Sequence, residues 1–495
     1  MRLSELLREA GLPASPGPDP EINDIISDSR RARPGCLFVA IRGLHTDGHA
    51  YLSEAAQAEA AAAVVADGWA GEVPLPVVRA ADTRAALARL WDAWYGHPAA
   101  GMRLVAVTGT NGKTSVSTML RAICAAGLCR TGLIGTVGCF SGDRQLDTAN
   151  GDPLANMTTP DPAELYRMLA EMRDDGVDTV ILEASSHALA LGKLTPLRFA
   201  AGIYTNLTPE HLDFHGTMAD YLTAKLKLFP ACDTAVVNRD DPHWAAVAAS
   251  CPGRVRTCTC GGEGDYRARE VRDLGVNGIG YLLDSSGARF RVHSPIPGQF
   301  TVQNSLLAAA CALELGISPL AVQDALARLG GVEGRLERVP LLGMPFAVFI
   351  DYAHTPDALE NLLRTARGFR RGNERIVLLF GCGGDRDPTK RKPMGRIATE
   401  MADFTIITTD NPRTEPPGDI IADILRGIDR EKPYAVIPRR AEAIDYAIRT
   451  ARPGDIILLA GKGHERYELD AAGRHPFDER EIVVRAVRRH FGGTD

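Results

Sequence analysis

The chain has 495 residues, more than a single hydrophobic core serves, so about three or four domains of ordinary size are expected. Its composition is that of a globular protein, 45% hydrophobic and 24% charged, and a net charge of -6 argues against the basic face that nucleic-acid binding needs. No run approaches the roughly 20 apolar residues of a membrane span. Charges interrupt MRLSELLREAGLP, which therefore lacks the apolar centre of a signal peptide. The ten cysteines contain no Cys-x-x-Cys pair. Reduced thiols in the cytoplasm are expected, and Cys258-Thr259-Cys260 with Cys251 has the wrong spacing for zinc.

In chain order, the first hundred residues alternate short β-like runs (CLFVAIRG, AAAVVAD, LPVVRA) with Ala-rich helical patterns. They end in the amphipathic TRAALARLWDAWYGHP, where Gly96-His97-Pro98 breaks the helix and marks a boundary at residue 98. From Arg103 the rhythm is strand, loop, helix: RLVAVTGT, DTVILEASS, FAAGIYTNLT and DTAVVNRDD are continuous apolar runs, each ending in polar residues. Runs of this kind suit strands buried on both faces, which implies an α/β fold with a parallel, doubly wound sheet and ligands at the carboxyl ends of its strands. Arg254 to Ser294 is Gly-rich and alternates as antiparallel strands do. PFAVFIDYAH, RIVLLFGCGGD, FTIITTDNPR and DIILLAGKGHE then resume the α/β rhythm, again stopping at polar clusters.

The first strand end that carries chemistry is VAVTGTNGKTSVST, Val105 to Thr118. A turn that leaves a buried strand and opens a helix aims backbone N–H groups and the positive end of the helix dipole at an anion. Gly109, Thr110, Asn111, Gly112 and Ser115 would cradle phosphate, Lys113 would reach the terminal phosphates, and Thr114 would offer a hydroxyl to Mg²⁺. The loop is short, because Val107 stands where the widely used pattern has its first glycine. The bland reading is a glycine turn with an exposed lysine. Glu183, closing TVILEASSH, is a hard-oxygen metal ligand or the N-cap of the next helix. His211 and Asp213, in TNLTPEHLDFHG, follow another strand; a lone histidine is more often structural than a ligand.

Taken together and in order, TGTNGKTS, TTPDP, EASSHAL, TNLTPEHLDFHG, YLTAKLKLF, GRLE, DYAHTPDALE, GCGGDRD, DNPR and GKGHE resemble the ATP-dependent Mur ligases of bacterial peptidoglycan synthesis, over about residues 105 to 467. Within that family the resemblance is to the members that add meso-2,6-diaminopimelate to UDP-N-acetylmuramoyl-L-alanyl-D-glutamate. It implies three domains: 1–98 for the uridine nucleotide, 99–335 as a central phosphate-loop ATPase, and 336–495 as a Rossmann-like domain for the amino acid. It also implies ATP and Mg²⁺ as cofactors and a monomer as the working form.

Residue by residue, the resemblance gives Lys113 and Thr114 to ATP phosphate and Mg²⁺, and Glu183 and His211 to the metal. Lys225 in YLTAKLKLF matches a lysine the family carbamylates, which would turn a cation into an oxygen ligand; Lys227 is its neighbour. Asn304 matches a residue near the adenine, while Thr301 stands where the family has another asparagine. Arg335 would meet the γ phosphate; its bland reading is an ion pair with Glu333 or Glu337. Asp351 and His354 match contacts to ribose and phosphate, and nucleotide contacts on two domains imply a site completed by closure. Ser29, His45 and Thr46 match uridine contacts. Asn156, Thr158, Thr159, Ser185 and Lys193 match contacts to the peptidyl end, Lys193 replacing a frequent arginine and Leu191 a glutamine.

Asp410-Asn411-Pro412-Arg413 is carried by family members that select diaminopimelate rather than lysine. Diaminopimelate has a second carboxylate, and an arginine fork binds such a group bidentately. Arg386, Gly461 and Glu465 match further contacts to this amino acid, Glu465 suiting an ammonium. The bland reading of DNPR is a β-turn. Two rivals are a folylpolyglutamate synthetase, which needs neither DNPR nor a uridine domain, and a nucleotide-switched binding protein, which needs no amino-acid pocket.

Overall fold

Each apolar run named above forms its strand in the structure, a computed structural model that describes residues 1–43, 46–147, 158–372 and 374–492. The helix expected over TRAALARLWDAWYGHP runs Thr83–Trp94, because Asp82 accepts the Arg84 and Ala85 N–H groups at its start and Gly96, at φ +65°, turns the chain beyond its end. The chain divides into two compact units, Met1–Lys113 with Leu128–Thr257, and Thr114–Gly127 with Cys258–Asp495.

The first unit contains two sheets. Asp24–Ile26, Cys36–Val39, Ala62–Ala66 and Val77–Ala80 lie side by side in chain order, all parallel. The second places five parallel strands in the order Thr234–Asn238, Ala201–Tyr204, Arg103–Thr108, Thr179–Glu183 and Thr131–Gly135, followed by antiparallel Gly138–Ser141 and Arg144–Gln145. Val105, Val107, Ile181, Leu182, Ile203 and Val236 are all fully buried, so these strands show no alternation. The strand order reverses beside Arg103–Thr108, and open α/β sheets bind ligands at such a reversal, outside the carboxyl ends of the strands.

In the second unit the Gly-rich stretch forms Tyr266–Asp273, Ile279–Ser285 and Arg289–Ser294 as an antiparallel set, with Cys258 and Thr259 paired in parallel to Tyr266 and Arg267. The helix Gln299–Glu314 packs on it, burying eleven of its residues from Thr301 to Ala312. A separate six-stranded sheet follows, ordered Glu337–Arg338, Ala347–Asp351, Ile456–Ala460, Ile376–Phe380, Phe404–Ile407, Tyr434–Val436; only the first strand is antiparallel. Its carboxyl ends deliver DYAH, GKGHE, GCGGD and DNPR to one edge. No helix among the described residues is long and apolar enough to cross a membrane. All ten cysteines are free thiols.

Candidate functional site

The phosphate loop leaves its strand at Thr108 and is braced from the neighbouring strand end. Thr205 Oγ donates to the Asn111 carbonyl (2.6 Å), Asn111 N–H donates to Asn206 Oδ1 (2.9 Å), and Thr110 N–H donates to the Asn206 carbonyl (2.9 Å). Gly109 and Gly112 sit at φ +147° and +87°, where a side chain is strained, so the short loop needs its two glycines despite lacking a third. Lys113 Nζ donates to the Gly109 and Thr110 carbonyls, at 2.9 and 2.8 Å, rather than extending into solvent as the bland reading has it.

Glu183 is fully buried at the end of its strand, and its carboxylate accepts from Thr136 N–H (3.1 Å) and Thr136 Oγ (3.0 Å). It is not an N-cap; Ser185 caps the helix Ser186–Ala190 by accepting the Ala188 N–H. Thr159 Oγ donates to the Glu183 carbonyl (2.7 Å) and accepts the Ser185 N–H (3.0 Å), Thr136 Oγ, its proton given to Glu183, lies 3.2 Å from Thr158 Oγ and accepts from it, and Lys193 Nζ pairs with Asp161 at 2.6 Å. The structure therefore gathers Thr158, Thr159, Glu183 and Ser185 into one connected group. Thr136 belongs to it although no sequence signal singled it out, standing just beyond a strand end; Asp161 and Lys193 form a separate ion pair. Ser29 opens the turn Ser29–Arg31 capped by Asp28, and Thr46 is exposed. His45 and Asn156 lie outside the described residues.

His211 adopts φ +55° and meets His187 edge to face at 4.9 Å, and its nearest carboxylate is the adjacent Glu210, 3.8 Å away. Burial, reinforced by His211, holds His187 below the usual histidine range. Lys225 is 1% exposed, with Nζ 4.4 Å from the centre of the Tyr221 ring, whose hydroxyl reaches Thr110 Oγ at 3.1 Å. Burial, with Lys113 adding repulsion, lowers the Lys225 ammonium to about 6. Lys227 by contrast is exposed and donates to the Ala190 carbonyl.

Among the described residues no three His, Cys, Asp or Glu side chains converge as a metal cluster. Within the first unit Glu183 is a buried side chain with hard oxygens of the kind Mg²⁺ prefers, whereas Lys225 as an amine offers no oxygen.

In the second unit, Arg335 is not paired with either glutamate the bland reading offered. Glu337 is taken by Arg480 and Glu333 by Arg466 (3.0 Å), while the Arg335 guanidinium lies 5.4 Å over the Tyr352 ring. Asp351 uses Oδ2 to accept the Leu336 N–H (2.7 Å) and Oδ1 to accept the Ala353 N–H (2.9 Å), so it fixes the turns carrying Arg335 and His354; burial pushes its carboxyl up. His354 Nδ1 donates to the Tyr352 carbonyl at 2.7 Å, which leaves Nε2 as the other ring nitrogen for a ligand, and burial lowers this histidine. Asn304 is buried, and Thr301 Oγ donates to the Pro297 carbonyl.

The DNPR segment is no surface turn: Asp410 and Asn411 are 6% and 4% exposed. Asn411 Nδ2 donates to Glu465 Oε2 at 2.7 Å, and Arg413, at φ +54°, donates from Nη1 to the Gly384 carbonyl at 2.9 Å. Gly384 N–H donates to the Asn411 carbonyl, and a Cβ on Gly384 would lie 2.0 Å from the Pro412 oxygen, so the GCGGD and DNPR loops interlock. A Cβ on Gly461 would lie 2.5 Å from Asp410 Oδ2. Arg386 is exposed at the rim. Beneath them, buried Arg391 bonds Glu415 (2.6 Å), Asp423 (3.0 Å) and the Gly383 carbonyl, and buried Arg440 bonds Glu479 (2.8 Å) and the Thr409 and Ala460 carbonyls. Sequence reasoning missed both, since an isolated arginine reads as a solvated charge. A cleft of about 430 Å³ between the helices Arg440–Arg449 and Glu479–Phe491 carries none of the residues above.

A family model described as the Mur ligase middle domain matches residues 107–312, and one described as the Mur ligase, glutamate ligase domain matches residues 334–463. The chain is 40% identical over 502 residues to UDP-N-acetylmuramoyl-L-alanyl-D-glutamate--2,6-diaminopimelate ligase of Syntrophomonas wolfei, covering 99% of each. The chain belongs to the Mur ligase family. A relative of the same name from Clostridioides difficile is 40% identical over 468 residues, 94% of each chain. A solved structure of a ligase of that name superposes with a TM-score of 0.70 at 31% identity, covering 99% of each chain. In this Mur ligase the three-domain α/β plan, the ligase class and nucleotide binding are therefore established for the chain as a whole.

Proposed function

We propose that this Mur ligase joins meso-2,6-diaminopimelate to UDP-N-acetylmuramoyl-L-alanyl-D-glutamate, converting ATP to ADP and phosphate. The observation that carries the reading is the cluster at the second unit's strand ends, where Arg413 offers a guanidinium and Glu465 a carboxylate held by Asn411. Diaminopimelate presents one more carboxylate than lysine, and this arginine is the group that would recognise it. The identically named relatives, 40% identical over nearly their full lengths, support the same substrate.

In the first step a D-glutamyl carboxylate oxygen attacks the γ phosphorus, its bond to the ADP oxygen breaks, and an acyl phosphate forms. In the second, an amine nitrogen that has lost one proton attacks the acyl carbon, phosphate leaves, and a second proton leaves the nitrogen as the amide forms. The loop N–H groups and Lys113 would hold the terminal phosphates, and Arg335 would meet the charge that spreads onto the γ phosphate. Thr114, Glu183, His211 and carbamylated Lys225 would hold Mg²⁺, which neutralises phosphate charge. Thr158, Thr159, Ser185 and Lys193 would hold the peptidyl end, and Ser29 and Thr46 the uridine. On this reading 1–98, 99–335 and 336–495 are the three functional segments of a cytoplasmic monomer.

ADP release measured with each substrate omitted in turn tests the proposal. Turnover should require ATP, the UDP-linked dipeptide and diaminopimelate together. Turnover with ATP alone, or equal use of L-lysine, would overturn it.

A further inference from the structure

One fully buried cation at the amino-acid pocket has no role in the scheme above. Lys462, in GKGHE, is 0% exposed. Its Nζ donates to Asn411 Oδ1 at 2.9 Å and to the Tyr467 carbonyl at 2.8 Å, and lies 3.9 Å from Asp410 Oδ1 and 5.3 Å from the centre of the Phe477 ring. Removing an ammonium from water is costly even when partners surround it, and a hydrophobic side chain of similar volume would fill the space at less cost. What distinguishes the lysine is the group it holds.

That group is the Asn411 amide. Its Oδ1 accepts from two donors, Lys462 Nζ and the Leu469 N–H, both at 2.9 Å, and its Nδ2 donates to Glu465 Oε2 at 2.7 Å. Turned over, the amide would set its N–H groups against two donors and its oxygen against a carboxylate. Chemistry therefore permits one orientation, and Lys462 is the charged half of what enforces it. The consequence reaches Glu465: burial and the nearby Asp410 push its carboxyl up, and the Asn411 hydrogen bond pulls it back toward the ionised form that attracts an ammonium.

We propose that Lys462 is a positioning residue for amine selection, fixing the Asn411 amide so that Glu465 is presented as the acceptor for an ammonium group of the incoming diamino acid. The inference rests on the reading of this pocket given under Proposed function. Lys462 touches no substrate; it acts through the Asn411 amide and, more weakly, through its own charge, which favours the ionised form of Glu465.

The test uses the full-length enzyme and first establishes which amino acid the wild type consumes. If that is not diaminopimelate, the substrate reading falls, and Lys462 is tested with the amino acid used. Lys462→Met keeps the stem and removes the donors. Its KM for the amino acid should rise roughly 10- to 100-fold, while the KM values for ATP and the UDP-linked dipeptide stay within about twofold, because only one pocket loses its geometry. Combined with Glu465→Gln, the effects should not multiply: the double variant should stay within about twofold of Glu465→Gln alone. Lys462→Gln retains an N–H donor for Asn411 and should fall between wild type and Met. An unchanged KM for the amino acid in a folded Met variant, equal harm from Gln and Met, or multiplicative effects in the cycle would overturn the proposal. Should the Met variant not fold, the cycle is run with Lys462→Gln, and multiplicative effects there overturn it equally.

Discussion

Gly109 and Thr205 compete for one space: a Cβ added at Gly109 would lie 1.8 Å from Thr205 Oγ1, and that hydroxyl is already spent on the Asn111 carbonyl. The phosphate loop and the strand end beside it are thus one interlocked object. Gly109→Ala must displace Thr205 and also adopt φ +147°, so it should weaken ATP binding at least about tenfold. Thr205→Ala in the same chain removes the worst clash but leaves Asn206 backbone atoms 3.1 Å away and the backbone strain, and should recover only part of the loss. Calorimetric titration with ADP measures both, and wild-type affinity in Gly109→Ala would refute the assignment.

Arg413→Ala should lower kcat/KM for diaminopimelate roughly 10- to 100-fold, the range for losing charge-assisted hydrogen bonds to a carboxylate. Acyl-phosphate formation, followed as ADP released in a single turnover without the amino acid, should persist. Arg413→Lys restores charge but not the fork, and should remain well below wild type. Equal loss of the first step would place Arg413 in phosphate chemistry instead.

Burial separates Lys225 from Lys227 more sharply than their sequence context does. A lysine lowered to about 6 is largely neutral at pH 7, and the neutral amine is the form that attacks carbon dioxide. With ¹³C-bicarbonate, a carbamate resonance should appear in wild type and in Lys227→Arg and vanish in Lys225→Arg. Turnover should fall about 100-fold or more in Lys225→Arg, which keeps a charge but supplies no oxygen ligand, and stay near wild type in Lys227→Arg. A resonance that survives in Lys225→Arg would refute the pairing of site and modification.

The strands and the motifs at their ends were legible because both are local signals: a continuous apolar run such as RIVLLF has one buried outcome, and its polar terminus falls at the ligand edge. The break after the helix Thr83–Trp94 at Gly96-His97-Pro98 was equally local. Arg391, Arg440, Lys462 and Tyr221 were not legible. Each gains its meaning from partners tens of residues away, such as Glu415 for Arg391 and Glu479 for Arg440, and in one sequence a buried cation is indistinguishable from a solvated one. Asp351 shows what a motif leaves out: besides the ribose contact its motif implies, each of its oxygens accepts a backbone N–H beside Arg335 or His354.

Arg391 gives the fold a testable response to acid. It is 1% exposed and bonds both Glu415 oxygens at 2.6 Å, tying the DNPR loop to the helix Arg391–Met401. That guanidinium holds the Glu415 carboxyl below its ordinary value of 4.5, with burial opposing. A depressed folded value means that the unfolded chain takes up the proton first as pH falls. The stabilisation is therefore present in full above pH 4.5 and is lost as pH falls through the lower folded value. Arg391→Met should cost about 2–3 kcal/mol at pH 7, less than a fully buried broken pair because Glu415 and Asp423 are each about a quarter exposed and can rehydrate. Its acid-side decline should also be shallower, since Glu415 then titrates near its ordinary value in both states. Urea midpoints measured from pH 7 down to pH 3 check both statements, and parallel pH profiles for the two proteins would show that Arg391 does not set the ionisation of Glu415.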